Sequence, residues 1–300
     1  SLTIDNIHVE VPKNYTILEA AKTVGIDIPT LCYMKEINEV GACRVCLVEV
    51  KGARGLQASC VHPVSEGMVI KTNNKKVRDA RKATVELILS NHNRECLTCF
   101  RNKNCELQSL SESLNISEIP FDGIKAVAEI DDKSHSIVRD PSKCILCGRC
   151  VNVCKNVQGI GILEFTNRGF NTEVSPAFNW SMADTPCVYC GQCIVACPVA
   201  ALREKEDIDR VWDAIEDPNL HVVVQTAPAV RAALGEEFGL PIGTRVTGKM
   251  VAALKRLGFN KVYDTNFGAD LTILEEGTEL LDRIQNGGKL PMITSCSPGC

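Results

Sequence analysis

The sequence is poor in aromatic residues, carries no excess of positive charge and has no long apolar run. Phe, Trp and Tyr make up only 5% of it, and its formal net charge is −4. That leaves little for stacking on bases and no basic stripe to neutralise phosphates, which excludes a nucleic-acid binder. No apolar run approaches the roughly 20 residues of a membrane-spanning helix. The N-terminal stretch Ser1-Leu2-Thr3-Ile4-Asp5 has no basic region followed by an apolar core, so no secretory signal is visible. No Gly-x-Gly-x-x-Gly fingerprint for nicotinamide or flavin appears, so any nucleotide is expected on another subunit. The expected location is cytoplasmic.

Cysteine is what the chain has in abundance, with 17 in 300 residues. Without an export signal, a reducing compartment and metal ligation explain them better than disulfides do. The densest stretch is Cys144 to Pro198. Cys144, Cys147, Cys150 and Cys154 have the spacing C-x2-C-x2-C-x3-C, and Cys187, Cys190, Cys193 and Cys197 repeat it, with Pro198 following. This is the bacterial-ferredoxin pattern for a cubane cluster, in which the fourth cysteine of each motif ligates the other cluster. The expected 4Fe–4S sets are therefore Cys144, Cys147, Cys150 and Cys197, and Cys154, Cys187, Cys190 and Cys193.

Upstream, residues 1–75 read as a small β-rich domain. Leu2-Thr3-Ile4 and His8 to Val11 are short strands around Asp5-Asn6, and Thr16 caps a helix ending near Gly25. Cys32, Cys43, Cys46 and Cys60 keep the central C-x2-C of plant-type 2Fe–2S ferredoxins with a wider first gap. A strand from Arg44 to Val50 leaves that loop. Residues 73–91 suggest a helix with Val77, Ala80, Ala83, Val85, Leu87 and Ile88 on its apolar face. At its end come His92, Cys96, Cys99 and Cys105. One imidazole and three thiolates hold zinc or a 4Fe–4S cluster equally well, and the residues alone leave both open. His8, His62, His135 and His221 have no such company.

Residues 111–140 are polar and turn-rich, a linker or wrapping segment. Ser136 to Arg139 is a strand entering the two-motif region, and Leu163-Glu164-Phe165 with Asn167-Arg168-Gly169 suggests a hairpin in its insert. From residue 206 strands and helices alternate. Strands are expected at His221–Thr226, Lys261–Asp264 and Pro291–Thr294, and helices at Glu206–Ile215, Val230–Phe238, Gly248–Leu257 and Ala269–Ile284. This is the start of a parallel α/β layer, with the first strand apolar enough to be buried.

Three stretches in this last part resemble the catalytic domain of iron-only (FeFe) hydrogenases: Thr226 to Arg231, Val246 to Asp270, and Pro291 to Gly299 with Thr294-Ser295-Cys296. The widened 2Fe–2S spacing and the one-His/three-Cys group, in that order, occur in the same family and in complex I large subunits and some formate dehydrogenases. The resemblance covers essentially all of the chain. It implies an α+β multidomain protein: a β-grasp 2Fe–2S ferredoxin domain (1–75), a one-His/three-Cys 4Fe–4S domain (76–120), a two-cluster bacterial-ferredoxin domain (136–205) and the N-terminal part of the α/β catalytic (H-cluster) domain (206–300). It assigns 2Fe–2S to Cys32, Cys43, Cys46 and Cys60, and 4Fe–4S to His92, Cys96, Cys99 and Cys105.

The implied function is an electron relay through one 2Fe–2S and three 4Fe–4S clusters to an active site that interconverts two protons and two electrons with hydrogen. The implied enzyme is the catalytic subunit of a multimeric, NAD(P)-linked or electron-bifurcating hydrogenase, with ferredoxin and/or a flavin- and NAD(P)-binding iron–sulfur subunit as partners in a hetero-oligomer. The family's proton relay maps to Cys296, Glu276 and Glu279. The sequence departs from the family's Thr-Ser-Cys-Cys-Pro-Gly-Trp: Ser297 stands at the ligand position and Cys300 at the tryptophan. Serine is a poor cubane ligand, and the remaining signatures, with the H-cluster they would complete, are expected beyond residue 300. Two alternatives come from other classes: a non-catalytic electron-transfer subunit related to complex I or formate dehydrogenase, and a zinc-stabilised scaffold. Anaerobically reconstituted protein is expected to contain iron and acid-labile sulfide; zinc alone, without visible absorbance, would favour the scaffold.

Overall fold

The structure, a computed structural model, describes residues 1–121, 125 and 129–294. Backbone contacts divide them into two units, one from Ser1 to Lys205 and one from Glu206 onward.

The first unit begins with a hairpin of β1 (Leu2–Ile4) and β2 (Ile7–Val9). Its turn residues Asp5 and Asn6 have φ of 46° and 70°, a left-handed pair that Asp and Asn tolerate. The Asp5 carboxylate also accepts the Thr72 amide at 2.9 Å, tying the turn to the end of the neighbouring strand that pairs with β1 in parallel. Helix α1 (Ile17–Thr23) starts at a capping box. The Glu19 amide donates to Thr16 Oγ1 at 3.2 Å and the Thr16 amide to Glu19 Oε2 at 2.9 Å. Strands β3 (Leu47–Val50), β4 (Gln57–Ala58) and β5 (Val69–Lys71) complete a mixed sheet of order β2-β1-β5-β3-β4. β1 and β5 run parallel and the other pairs antiparallel. Ile17, Leu18, Ala20 and Ala21 of α1 pack on Leu2, Ile4, Val48 and Ile70.

The strand expected from Arg44 starts only at Leu47. Gly41 and Arg44 have φ of 62° and 59°, so this stretch coils. A strand turns alternate side chains to opposite faces, and cysteines that must gather on one side need a loop instead.

Helix α2 (Lys75–Asn91) is capped by Asn74, whose side chain accepts the Val77 amide at 2.9 Å. It buries Val77, Arg81 and Val85, a stripe spaced four residues apart. The expected apolar face is corrected in two places. Leu87 lies off the stripe and is 54% exposed, whereas Arg81 is buried and donates to the Leu47 carbonyl at 2.7 and 3.2 Å. Helix α3 (Glu106–Ser113) follows and buries Leu107 and Leu110.

Strand β6 (Ile137–Arg139) pairs antiparallel with β9 (Leu202–Glu204), and the two cysteine motifs lie between them in sequence. The intervening elements are α4 (Arg149–Asn152), the hairpin of β7 (Glu164–Thr166) and β8 (Glu173–Ser175), and α5 (Gln192–Ala196). The segment ahead of β6 wraps this region. Asp131 pairs with Arg139 through its backbone, and its carboxylate accepts from Ser181 Oγ at 2.5 Å and the Met182 amide at 2.8 Å.

The second unit contains α6 (Ile208–Glu216), β10 (Val223–Thr226), α7 (Val230–Glu237), α8 (Thr247–Leu257), β11 (Lys261–Asp264) and α9 (Thr265–Asn286). β10 and β11 are parallel, with Val223 opposite Lys261. Asp264 caps α9 by accepting the Phe267 amide at 2.9 Å, so that helix starts four residues before the expected Ala269. Two expectations are corrected. Residues 291–294 form no strand, and Ile293 is 84% exposed. Pro291 lacks an amide for the ladder, and among the described residues only β10 and β11 pair in this unit. β10 is also not fully buried: Val223 is 51% exposed, because a two-stranded layer covers strands incompletely. Among the described residues no helix is long and apolar enough to cross a membrane.

Replacing Thr16 with Ala is expected to cost α1 about 1 kcal/mol, with Thr16→Ser close to wild type. Native-state hydrogen exchange of the α1 amides checks this.

Candidate metal centres

The first thiol group sits where the loop before β3 meets the loop after β4. Cys32, Cys46 and Cys60 are buried and Cys43 is half-buried. Cys46 Sγ and Cys60 Sγ are 3.3 Å apart. The Cys43 and Cys60 thiols donate toward Cys32 and hold it far toward the thiolate, helped by the amides of Cys43 and Ala42. The neighbouring Cys60 likewise lowers Cys46. Cys43 and Cys60 are pushed up in return. Four thiols this close cannot all ionise beside one another unless a cation shares their charge.

The second group follows α2. His92 closes that helix and is buried, and burial, followed by the nearby Lys143 ammonium, lowers its pKa to about 4. The imidazole is therefore neutral, and its Nδ1 has no hydrogen-bond partner among the described residues. A neutral imidazole with an unpartnered ring nitrogen fits a metal ligand. Cys96 and Cys99 bracket a single tight turn, with the Cys99 amide donating to the Cys96 carbonyl at 3.1 Å. Cys105 precedes α3, and burial raises its thiol while the Gln108 and Leu107 amides at the helix start oppose that. Cys99 and Cys96 lie near enough to raise it too, by like-charge repulsion.

The two motifs of the densest stretch adopt the same local conformation. Leu146 and Tyr189, both before the second cysteine, have φ of 53°, and Gly148 and Gly191, both after it, have φ of 80° and 74°. Each glycine starts a short helix, α4 and α5, that carries the third cysteine. The amides of Leu146 and Tyr189 donate to Cys144 Sγ and Cys187 Sγ, each at 3.4 Å. After α4 the chain widens into a π-type turn, with the Gln158 amide donating to the Val153 carbonyl at 3.0 Å. That turn carries Cys154, whose Sγ accepts the Ile162 amide at 3.3 Å.

The thiols then sort into two cavities. One is lined by Cys144, Cys147, Cys150 and Cys197, with Ile145, Val174 and Leu202. The other is lined by Cys154, Cys187, Cys190 and Cys193, with Ile137, Leu163 and Met182. Burial pushes Cys144 up to about 11 and Cys147 and Cys193 up to about 12, and raises Cys150 as well. Apolar walls disfavour a bare thiolate, and metal binding replaces the proton and removes that penalty. Both cavities therefore fit a cationic cluster better than free thiols.

Polar residues without any sequence signal lock the sites together. Arg149, between Cys147 and Cys150, grips Glu106 of α3 with bonds of 2.7 and 2.9 Å, and Arg101 donates to the Ile194 carbonyl at 3.1 Å. Asn38 joins the loop after Cys32 to the loop of Cys147. Arg149 and Asn38 meet partners 43 and 109 residues away, a separation that no motif encodes.

Of the expected proton-relay residues, Glu276 and Glu279 lie one turn apart on α9. Glu276 is half-buried; Glu279 is exposed and ion-paired with Arg283. Cys296, Ser297 and Cys300 lie outside the described residues.

These centres define a series of iron–sulfur domains, and comparison with known families agrees. Residues 1–75 match the 2Fe-2S iron-sulfur cluster binding domain, 81–120 the NADH-ubiquinone oxidoreductase-G iron-sulfur binding region, and 143–201 the 4Fe-4S dicluster domain. Together these account for one 2Fe–2S and three 4Fe–4S clusters. Residues 220–300 match the iron only hydrogenase large subunit, C-terminal domain. The chain thus consists of 2Fe–2S and 4Fe–4S accessory domains followed by the start of an iron-only hydrogenase catalytic domain.

It is similar to the NADP-reducing hydrogenase subunit HndD of Solidesulfovibrio fructosivorans, 51% identical over 310 residues, which covers 100% of this chain and 53% of that protein. It is also similar to iron hydrogenase 1 of Clostridium pasteurianum, 41% identical over 301 residues, covering 100% of this chain and 52% of the relative. The chain therefore spans about half the length of these curated relatives. Among solved structures, an NAD+-reducing [NiFe]-hydrogenase in the H2-reduced state matches with a TM-score of 0.64 and 29% identity, over 68% of this chain and 86% of that one.

The two positive-φ glycines make a paired test. A Cβ on Gly191 would meet nothing within 4 Å, whereas one on Gly148 would meet Asn38 Oδ1 and Phe165 at 3.4 Å. Gly191→Ala and Gly148→Ala are each expected to destabilise by about 1 kcal/mol through backbone strain, the added methyl at Gly148 meeting only ordinary contacts, in denaturant titrations of the reconstituted protein.

Proposed function

We propose that the chain carries electrons through four iron–sulfur centres to or from the active site of an iron-only hydrogenase, where two protons and two electrons interconvert with hydrogen. The observation that carries the relay is the crossing of the two motifs: each cavity is lined by three cysteines of one motif and the last cysteine of the other. On this reading Cys144, Cys147, Cys150 and Cys197 hold one 4Fe–4S cluster, and Cys154, Cys187, Cys190 and Cys193 hold another. Cys32, Cys43, Cys46 and Cys60 hold 2Fe–2S, and His92, Cys96, Cys99 and Cys105 hold the third 4Fe–4S. The domains run 1–75, 76–120, 136–205 and 206–300, the first a β-grasp and the third a two-cluster bacterial-ferredoxin fold.

When bound, the clusters supply one-electron steps. The chain's own residues set the conditions for them. The amides of Leu146, Tyr189 and Ile162 donate to ligand sulfurs, which stabilises the more negative, reduced state. Ile137, Leu163, Met182 and Leu202 wall off water. Arg149 and Glu106 hold neighbouring sites in register.

A relative named as a subunit of an NADP-reducing hydrogenase supports a hetero-oligomer. Its partners would be ferredoxin and/or a flavin- and NAD(P)-binding iron–sulfur subunit. So many ligand thiols suit a reducing, cytoplasmic setting. Cys296, Glu276 and Glu279 are the proposed proton relay, Glu276 being supported by its half-buried place on α9. A non-catalytic subunit related to complex I would share the accessory domains; the match over residues 220–300 favours the hydrogenase.

A double variant separates crossed from uncrossed ligation. Cys144→Ser with Cys197→Ser touches one cluster if the motifs cross and two if each motif binds its own. We expect loss of a single 4Fe–4S centre, measured by iron content and EPR spin quantitation; loss of two would overturn the crossing.

A further inference from the structure

Asn38 is fully buried, and every hydrogen-bonding position of its side-chain amide but one oxygen lone pair is used. Its Nδ2 donates to the Cys32 carbonyl at 2.6 Å and to the Cys147 carbonyl at 3.0 Å. Its Oδ1 accepts from Asn152 Nδ2 at 2.5 Å, which fixes the amide so that both N–H groups face the two cysteines. One nitrogen atom thus joins the backbone of a cysteine in the first thiol group to that of a cysteine in the Cys144 group. A buried amide orphaned on either side is costly, so the three partners enforce one geometry. Gly148 lies against the same Asn38 oxygen, so closely that an added Cβ would meet it at 3.4 Å.

We propose that Asn38 is the positioning residue and electron path between the 2Fe–2S site and the 4Fe–4S site of Cys144, Cys147, Cys150 and Cys197. The inference rests on the ligand sets proposed above. Electron tunnelling decays less steeply through bonded and hydrogen-bonded atoms than across a van der Waals gap. From each sulfur the path is a short covalent run to the carbonyl, and the two runs meet at Nδ2. One electron is lost at the Cys32 site and gained at the Cys147 site, or the reverse, with no bond broken and no proton moved. It follows that the 2Fe–2S centre exchanges electrons with this cluster directly.

The test uses the complete, cluster-loaded hydrogenase. Flash photoreduction injects one electron, freeze-quench EPR follows its redistribution, and EPR-monitored titration gives the midpoint potentials. Asn38→Ser removes the double donor and is expected to slow redistribution by roughly an order of magnitude with potentials unchanged. Asn152→Ala keeps both Asn38 donors but removes the bond that orients them, and is expected to slow redistribution less than Asn38→Ser does. An unchanged rate in Asn38→Ser, a slowing in Asn152→Ala as large as or larger than that in Asn38→Ser, or slowing that merely tracks a shifted potential would each overturn the path.

A measurement that needs no Asn38 variant covers the case in which that variant fails to assemble. Spin–spin broadening of the reduced 2Fe–2S signal should disappear in Cys197→Ser and persist in Cys154→Ser; the reverse pattern, or broadening lost in neither, overturns the adjacency. Absence of any 2Fe–2S signal in the wild type would instead sink the ligand assignment itself. That result is distinct from a loaded protein with an insensitive rate.

Discussion

The first unit is governed by the difficulty of burying sulfur that must carry charge. Thiols lining apolar cavities are held protonated by desolvation, as at Cys147 and Cys193. Thiols crowded together, as at Cys32, Cys43, Cys46 and Cys60, share protons because they cannot all ionise. Either arrangement is unfavourable for a bare protein and favourable once an iron core neutralises the charge. Metal binding and folding are therefore coupled in this unit.

That constraint accounts for the backbone. Cysteines at short intervals reach one cavity only if the chain curls around it. The curl appears as left-handed residues at Leu146, Gly148, Tyr189 and Gly191, and at Gly41 and Arg44 in the first group. The same curl directs amides toward sulfur, as at Leu146 and Cys144. Geometry that gathers the ligands thus also tunes them. Between sites, the structure uses polar contacts. Asn38, Arg149 and Arg101 each reach from one cysteine-bearing segment to another. Such contacts are directional, and they hold spacing in a way that apolar packing does not.

Local signals in the sequence hold wherever a short-range rule governs. Asp5-Asn6 makes the hairpin turn and Thr16 with Glu19 makes the capping box. Helices α2, α6, α7 and α8 lie where periodicity suggests. The signals mislead where partners decide the outcome. Pro291 to Thr294 looks like a strand by composition but has no neighbour to pair with among the described residues. Leu87 looks like core but lies off the stripe that Val77, Arg81 and Val85 define.

The sequence by itself determined the cysteine spacings, the local turns and the order of the domains, because these depend on residues only a few positions apart. The pairing of Cys197 with the Cys144 motif, and of Cys154 with the Cys187 motif, is already implied by their spacing; the tertiary structure supplies the two apolar cavities that they line. It also decided that Arg81 is buried and that Asn38 stands between Cys32 and Cys147. A hydrogen bond across 109 residues depends on where two loops come to rest, which no local pattern records.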